Sequence, residues 1–523
     1  MGSNGKGRFV FLLGLMALAC QPVSRPSPTA PLSPFPSPKA TAAPDPSWFR
    51  DAVLYLIFVR SFADHDGDGI GDLRGIIDRL DYLQGLGVTA IWLMPIYPSP
   101  SDHGYDVMEH FDVRPEYGTI TDLRALVEAA HARGMRVLLD FVPSHLSSQH
   151  PLFRDAFGRP DSPYSGWFLW LNEAHTQYLA FDGVTSMPRF NHRNPEVVRY
   201  LTRVARFWLE QGVDGFRVDN ATFPPKAFFS ELRTAVRAIR PDALLLGEVW
   251  QRDVPALSEY FDRFDALFDF PLYHVLMGSP DRNGDGLLAG QGPPALLSDL
   301  FEEEAARFPP TGMAVRFLSN HDTNRLATKL GGDPDRLRLA AALWSALPGP
   351  LQLYYGEEIG MRGQKGGPPA WDNYRREPMD WYAAGEGPGQ TTWFRPPDRW
   401  NRPDDGISVE EEEKDPASLL NTYRRLLRLR ATTPALREGD FALLPLEAPA
   451  PGPWGFVRRA GDQTVVAIFN FAQEPLPATI LAFPFTAPAL RDLWSGQVFP
   501  SAQAGQPYTV TLPGAGAMLL AAP

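Results

Sequence analysis

Three carboxylates stand out by where they fall in the chain: Asp219 in GVDGFRVDN, Glu248 in LLLGEVW and Asp322 in FLSNHD. Each follows a short apolar run that reads as a buried parallel strand, so each is expected where a strand ends and a loop begins. Where such strands close into an α/β barrel, their carboxyl ends converge on one face and the three acids meet. Acids gathered in this way suit cleavage of a glycosidic bond. That chemistry needs one carboxylate held ionised and one carboxyl that still carries a proton. Arg217 lies two residues before Asp219, on the same face of the strand, where its charge can keep that carboxyl ionised.

The elements that must position these acids follow a regular alternation from Trp48 onward. AVLYLIFVR (52–60), TAIWLMPI (89–96) and MRVLLDFV (135–142) read as strands. Between them LRGIIDRLDYLQGLG (73–87) and DLRALVEAAHARG (122–134) carry apolar residues at helical spacing and close on glycine. The unit repeats through VDGFRVD, ALLLGEV, FDALFDF, AVRFLSN and LQLYY, which completes eight strands and predicts an α/β fold, a (β/α)8 TIM barrel over 47–438. Two stretches break the rhythm. Residues 146–190, between the third strand and its helix, are expected to form a small inserted subdomain roofing the barrel mouth. Residues 360–418 form a long excursion after the eighth strand, of the kind that is functional in a compact domain. Beyond about 440 the helical period gives way to short alternating segments, which predict a C-terminal antiparallel β-sandwich over 439–523.

Composition narrows the partners. The chain has 523 residues, 44% of them hydrophobic, and a formal net charge of −12, so a large core fits and nucleic acid is excluded as a partner. Lys6, Arg8 and the apolar run Phe9 to Leu18 read as an export signal over 1–20, too short to span a bilayer as a permanent helix. Two processing outcomes are open. Ala17-Leu18-Ala19 suits ordinary cleavage and release, whereas Ala19-Cys20 resembles a bacterial lipobox, which would lipidate Cys20 and anchor the protein at the outer face of a membrane. Cys20 is the only cysteine, so no disulfide forms within the chain. Residues 21–46 alternate Pro with Ser, Ala and Thr and read as an extended tether.

Eight segments now fall into one order: DGDGIGDLRGI (66–76), GYDV (104–107), DFVPSH (140–145), MPRFN (187–191), GFRVDN (215–220), GEVW (247–250), NHD (320–322) and YYGEEIGM (354–361). Together they resemble the α-amylase family of retaining glycoside hydrolases (glycoside hydrolase family 13). The resemblance runs from Trp48 to the C-terminus, and its features lie between oligo-1,6-glucosidase-like and neopullulanase-like members. It implies that Asp219 is the nucleophile, Glu248 the acid/base and Asp322 the residue that grips sugar hydroxyls as the oxocarbenium-like state develops. It implies further that His145 and His321 hydrogen-bond the sugar before the cleaved bond, that Tyr105 lies under that sugar, and that Asp106 and Arg217 help to position it.

The departures bear on metal and specificity. Four carboxylates with intervening glycines over 64–72 suit Ca²⁺ or Mg²⁺. They resemble a calcium loop of oligo-1,6-glucosidases, with Asp64, Asp66, Asp68, Ile70 and Asp72 as its residues. It is not an EF-hand, since its twelfth position is Gly75. Asp281-Arg-Asn283-Gly-Asp285 has similar spacing without family support. Ser144 stands where another family calcium site has Asn, so that site is not carried over. A Lys-His pair that follows the nucleophile in typical α-amylases is replaced here by Asn220-Ala221-Thr222-Phe223. α-1,4 cleavage of malto-oligosaccharides or starch is expected. α-1,6 cleavage and transglycosylation at the same site stay open, and the three acids speak against a non-catalytic relative.

Overall fold

Short apolar runs buried on both faces can only be parallel strands wrapped by helices, and they form here in chain order. The strands are β1 (Val53–Ile57), β2 (Ala90–Leu93) and β3 (Arg136–Phe141), then, in an excursion, the hairpin β4 (Ala180–Phe181) and β5 (Val184–Pro188). They continue as β6 (Gly215–Val218), β7 (Leu244–Gly247), β8 (Ala266–Phe268), β9 (Met313–Phe317) and β10 (Leu351–Tyr354). In this computed structural model, residues 46–449 and 452–523 are described. The expected export signal with Cys20, and all but the last residue of the 21–46 linker, lie outside them.

The eight strands other than β4 and β5 close into a parallel barrel in the order β1-β10-β9-β8-β7-β6-β3-β2. Two details of register matter for the site. Asp140 on β3 is paired directly with Arg217 on β6, and Arg217 in turn with Leu246 on β7. Gly215 opens β6 at φ 147°, and a Cβ there would lie 2.3 Å from the Leu244 carbonyl oxygen, so only glycine lets these two strands approach.

Helices cover the barrel through apolar stripes. The helix Pro195–Glu210 starts where the Asn194 side chain accepts from the Glu196 N–H, with proline in the first turn. It buries Val197, Leu201, Val204, Ala205 and Trp208. Each such side chain contributes about 1.5–3 kcal/mol by leaving water, which fixes the strand that follows it.

The segment between β3 and that helix carries β4 and β5. It is held by an aromatic cluster in which the Phe153 ring lies 5.0 Å from Phe168 and 4.8 Å from Tyr178. An isolated antiparallel bridge between His145 and Arg189 ties it back to the end of β3. The excursion after β10 is fastened over the mouth of the barrel, where the Trp381 Nε1–H donates to the Phe62 carbonyl (2.6 Å) and the Met379 N–H to that of Ser61 (2.7 Å).

After the barrel the strands β11 (Asp440–Leu443), β12 (Leu446–Glu447), β13 (Trp454–Ala460), β14 (Gln463–Asn470), β15 (Leu476–Ile480), β16 (Leu490–Asp492), β17 (Val498–Phe499), β18 (Tyr508–Leu512) and β19 (Gly516–Ala521) are antiparallel. They form a six-stranded sheet, β11-β13-β14-β19-β16-β17, and a three-stranded one, β12-β15-β18. Val466, Ile468, Ile480 and Leu512 pack between the sheets. The other face of the larger sheet joins the barrel, where Trp454 stacks on Phe301 at 5.8 Å.

Candidate active site

Asp219 and Glu248 are the first residues beyond β6 and β7, and Asp322 lies in the loop that follows β9. The barrel brings all three to one end, as expected of strand-end acids. Asp219 and Glu248 share a partner in Arg217, which has no exposed surface. Its Nη1 donates to Asp140 Oδ1 (2.9 Å), Asp140 Oδ2 (3.0 Å) and Asp219 Oδ1 (3.0 Å), while Nη2 contacts Glu248 Oε1. The guanidinium also lies over the Trp92 ring, 5.0 Å from its centroid. Glu248 is tied to the loop after Asp219 as well: the Asn220 N–H donates to Glu248 Oε2 (3.1 Å) and the Ala221 N–H to its carbonyl (2.9 Å). Asn220 takes a left-handed φ of 38° to make that turn.

Asp322 is held by different groups. Arg376 Nη2 donates to its Oδ1 (2.8 Å), His321 Nε2 lies 2.9 Å from its Oδ2, and Arg375 Nη1 donates to its carbonyl (2.8 Å). The two environments set opposite ionisation. Burial raises Asp219 well above the usual carboxylate range, and Arg217 only partly offsets it because Glu248, Asp140 and Asp322 push the same way as burial. Arg217 thus favours the ionised form of Asp219, as its place on the strand suggests, but acts against burial and three neighbouring carboxylates. Asp322 is half-buried, and His321, Arg376 and Arg217 hold it well below its ordinary value against that burial. Burial likewise raises Asp140 against the pull of Arg217.

Tyr105, which the resemblance implies for the site, is joined to both groups. Its hydroxyl donates to Asp140 Oδ2 (3.0 Å) and meets His321 Nε2 (2.7 Å), with the two rings stacked at 5.7 Å. His145 is buried, and burial lowers it to about 3, so it is neutral. Its Nδ1 bonds the Ser144 hydroxyl (2.6 Å), while Nε2 has no hydrogen-bond partner among the described residues. Ser144, which stands in for a family calcium ligand, thus orients this histidine. Asp219 Oδ2 is similarly buried and has no hydrogen-bond partner among the described residues. Asp106 is placed differently from Tyr105. Its Oδ1 accepts from the Ser99 (2.7 Å) and Ser101 hydroxyls, so it braces the turn that carries Tyr105.

Sequence reasoning missed Asp140, Trp92 and Arg376. Asp140 lay inside the quoted DFVPSH and Arg376 inside the long excursion after the eighth strand, in REPMDW (376–381), but nothing local showed that either meets a group distant in the chain.

The acidic loop between β1 and its helix brings Asp64, Asp66 and Asp72 together, with ligand oxygens within 4.8 Å of one another. Asp68 is not among these three, and its carboxylate accepts from the Ile70 N–H (2.7 Å) within the same loop. Asp64 and Asp72 accept backbone N–H groups, from Gly67 and Gly69 and from His65 and Gly75. An all-oxygen set held by such turns fits a hard cation. Asp281 and Asp285 have cationic partners instead, Arg375 and Lys329, and no metal is needed there.

Comparison with known proteins agrees with this geometry. The family model described as "Alpha amylase, catalytic domain" matches residues 56–439. The chain is 39% identical over 411 residues to alpha-amylase 3 of Dictyoglomus thermophilum, covering 75% of this chain and 79% of that protein. It is 34% identical over 563 aligned positions to the trehalose synthase/amylase TreS of Mycobacterium tuberculosis, covering 91% of each. The crystal structure of alpha-amylase from H. orenii superposes with a TM-score of 0.77 at 34% identity, covering 91% of this chain and all of that one.

Replacing Arg217 by Met should leave Asp140, Asp219 and Glu248 buried around no cation, at a cost of about 3–5 kcal/mol near neutral pH. The sign with pH follows from the raised carboxyls. A folded state that holds protons the unfolded chain has released loses stability as pH rises. Denaturation midpoints should therefore show the deficit of Arg217→Met widening from acid toward neutral pH, and a constant deficit would contradict this electrostatic account.

Proposed function

The chain belongs to the alpha-amylase family of glycoside hydrolases, and from that premise we propose that it cleaves α-1,4-glucosidic bonds of malto-oligosaccharides and starch with retention, through a glycosyl-enzyme on Asp219. The observation that carries this reading is the shared guanidinium. Asp219 and Glu248 both reach Arg217, which favours the close spacing of a retaining pair, about 5–5.5 Å, over the wider one that admits a water.

The residues divide the steps between them. Asp219 Oδ2, the unpartnered oxygen, attacks the anomeric carbon while Glu248 gives its proton to the glycosidic oxygen, and the bond from carbon to that oxygen breaks. Glu248, now a carboxylate, takes a proton from water, whose oxygen displaces Asp219 and restores both acids. This sequence requires a proton on Glu248 and none on Asp219 at the moment Asp219 attacks. Asp322, held ionised beside His321 and Arg376, hydrogen-bonds sugar hydroxyls most strongly as positive charge develops. Tyr105 offers its ring, and the neutral His145 its free Nε2, to the sugar before the cleaved bond.

A second reading, transfer of the glycosyl group to another sugar, is favoured by the likeness to a protein named as both synthase and amylase. The two differ only in whether water or sugar meets the intermediate. Export, expected from residues 1–20, belongs to the same proposal. The mass of the mature N-terminus separates a free chain from one lipidated at Cys20.

A time course on maltoheptaose, isomaltose, pullulan and sucrose tests the substrate. Short maltodextrins from maltoheptaose with isomaltose untouched are expected, and products longer than the substrate would move the protein to the transferase reading. Cleavage of isomaltose or sucrose without maltoheptaose would overturn the proposal.

Asp64, Asp66 and Asp72 would hold a Ca²⁺ ion that neutralises their mutual repulsion and takes no part in the chemistry. Calcium at about a hundred times its dissociation constant should stabilise the protein by about 2.7 kcal/mol relative to chelator. Asp66→Ala should abolish that gain, measured as the melting temperature with and without the ion. An equal gain in wild type and variant would rule the site out.

A further inference from the structure

The bridge between His145 and Arg189 is completed by two main-chain bonds, from the Phe190 N–H to the Ser144 carbonyl (3.1 Å) and from the Leu146 N–H to the Pro188 carbonyl (3.2 Å). Backbone geometry therefore fixes Arg189 beside a histidine of the site. From there its side chain crosses to the loop after Asp219, where the guanidinium lies flat enough to place its carbon 4.0 Å from the Phe223 ring centroid. Phe223 is 37% exposed, so the pair reaches the surface of the loop. Its edge meets Phe181 at 5.8 Å, and Phe181 packs on His145 at 4.6 Å. These four side chains form one wall from His145 to the loop that leaves Asp219.

Two facts say which part of a ligand this wall faces. The loop that carries Phe223 also gives the Asn220 N–H to the Glu248 carboxylate, so it runs past the acid that would protonate the leaving oxygen. Tyr105, His321 and Asp322, which would hold the sugar on the other side of the bond, are linked to one another, and of the wall only its His145 end adjoins them. Among the described residues, the Arg189 side chain has no hydrogen-bond or ion-pair partner. Its N–H groups are half-buried, fixed in a plane by the ring, and available. A planar fork of donors suits a pair of adjacent hydroxyls on a pyranose better than a lysine point charge does.

We propose that Arg189, seated on Phe223, recognises the sugar on the leaving-group side of the cleaved bond and so sets which acceptors and leaving groups the enzyme uses. The cation that typical α-amylases place after the nucleophile is thereby supplied from the inserted segment, and Phe223 is the surface that orients it. The inference rests on the reading of this protein as an α-glucan hydrolase.

The test compares kcat/KM on maltotetraose with kcat/KM on α-maltosyl fluoride, whose leaving group is fluoride and carries no sugar. Arg189→Ala should lower the ratio of the two about 10- to 100-fold, the loss of one or two charge-assisted hydrogen bonds. Phe223→Ala should lower it in the same direction, and Arg189→Lys should recover only part of it. Transfer to added maltose should fall in parallel. A ratio equal to that of wild type overturns the proposal, whether both rates hold or both fall together, because a merely structural role would move them alike. Wild-type protein inactive on both substrates would sink the α-glucan reading itself, and this inference with it.

Discussion

Burying a guanidinium without solvent is tolerable only where carboxylates surround it, and burying carboxylates is tolerable only around a cation. Arg217 and the acids it touches meet both conditions at once, and most of the site can be derived from that mutual requirement. Asp140 neutralises the arginine from the neighbouring strand, in direct register. Asp219 and Glu248 take its remaining directions, with one oxygen of Asp219 left bare. Removing any one member strands charge in a low-dielectric interior, which is why the cluster holds its geometry before any sugar arrives.

That geometry needs the barrel. Asp140 and Arg217 lie on strands separated in the chain by the whole inserted segment, and only closure of the sheet sets them side by side. Gly215 permits the close approach of β6 and β7, so the nucleophile candidate and the acid candidate leave adjacent strands together. The excursion after β10 then adds Arg375 and Arg376, which fix Asp322 from the far side of the mouth. The two halves of the site are thus built by different loops, one organised by Arg217 and one by Arg376. Their electrostatics differ: burial raises Asp219, whereas His321 and Arg376 lower Asp322.

Much of this was legible in the chain because strand ends and family motifs coincide. The apolar runs before Asp219, Glu248 and Asp322 fall on β6, β7 and β9, and Tyr105, His145 and His321 gather around them. What stayed hidden depended on contacts between distant segments. Asp140 reads as one more strand residue until register pairs it with Arg217. Arg376 precedes an EPMDW stretch that looks like a branch marker, and its partner lies 54 residues away. Asp281 and Asp285 looked like metal ligands because the cations that satisfy them, Arg375 and Lys329, come from remote loops.

The central claim is that Asp219 forms a covalent bond to the sugar while Arg217 positions both acids. It is tested most directly by incubating the protein with a 5-fluoro α-glycosyl fluoride, which forms its glycosyl-enzyme faster than water releases it, and locating the added mass by peptide mapping. The account predicts one glycosyl adduct, on the peptide that contains Asp219. No adduct from a turning-over enzyme, or an adduct on Glu248 or Asp322, would contradict it.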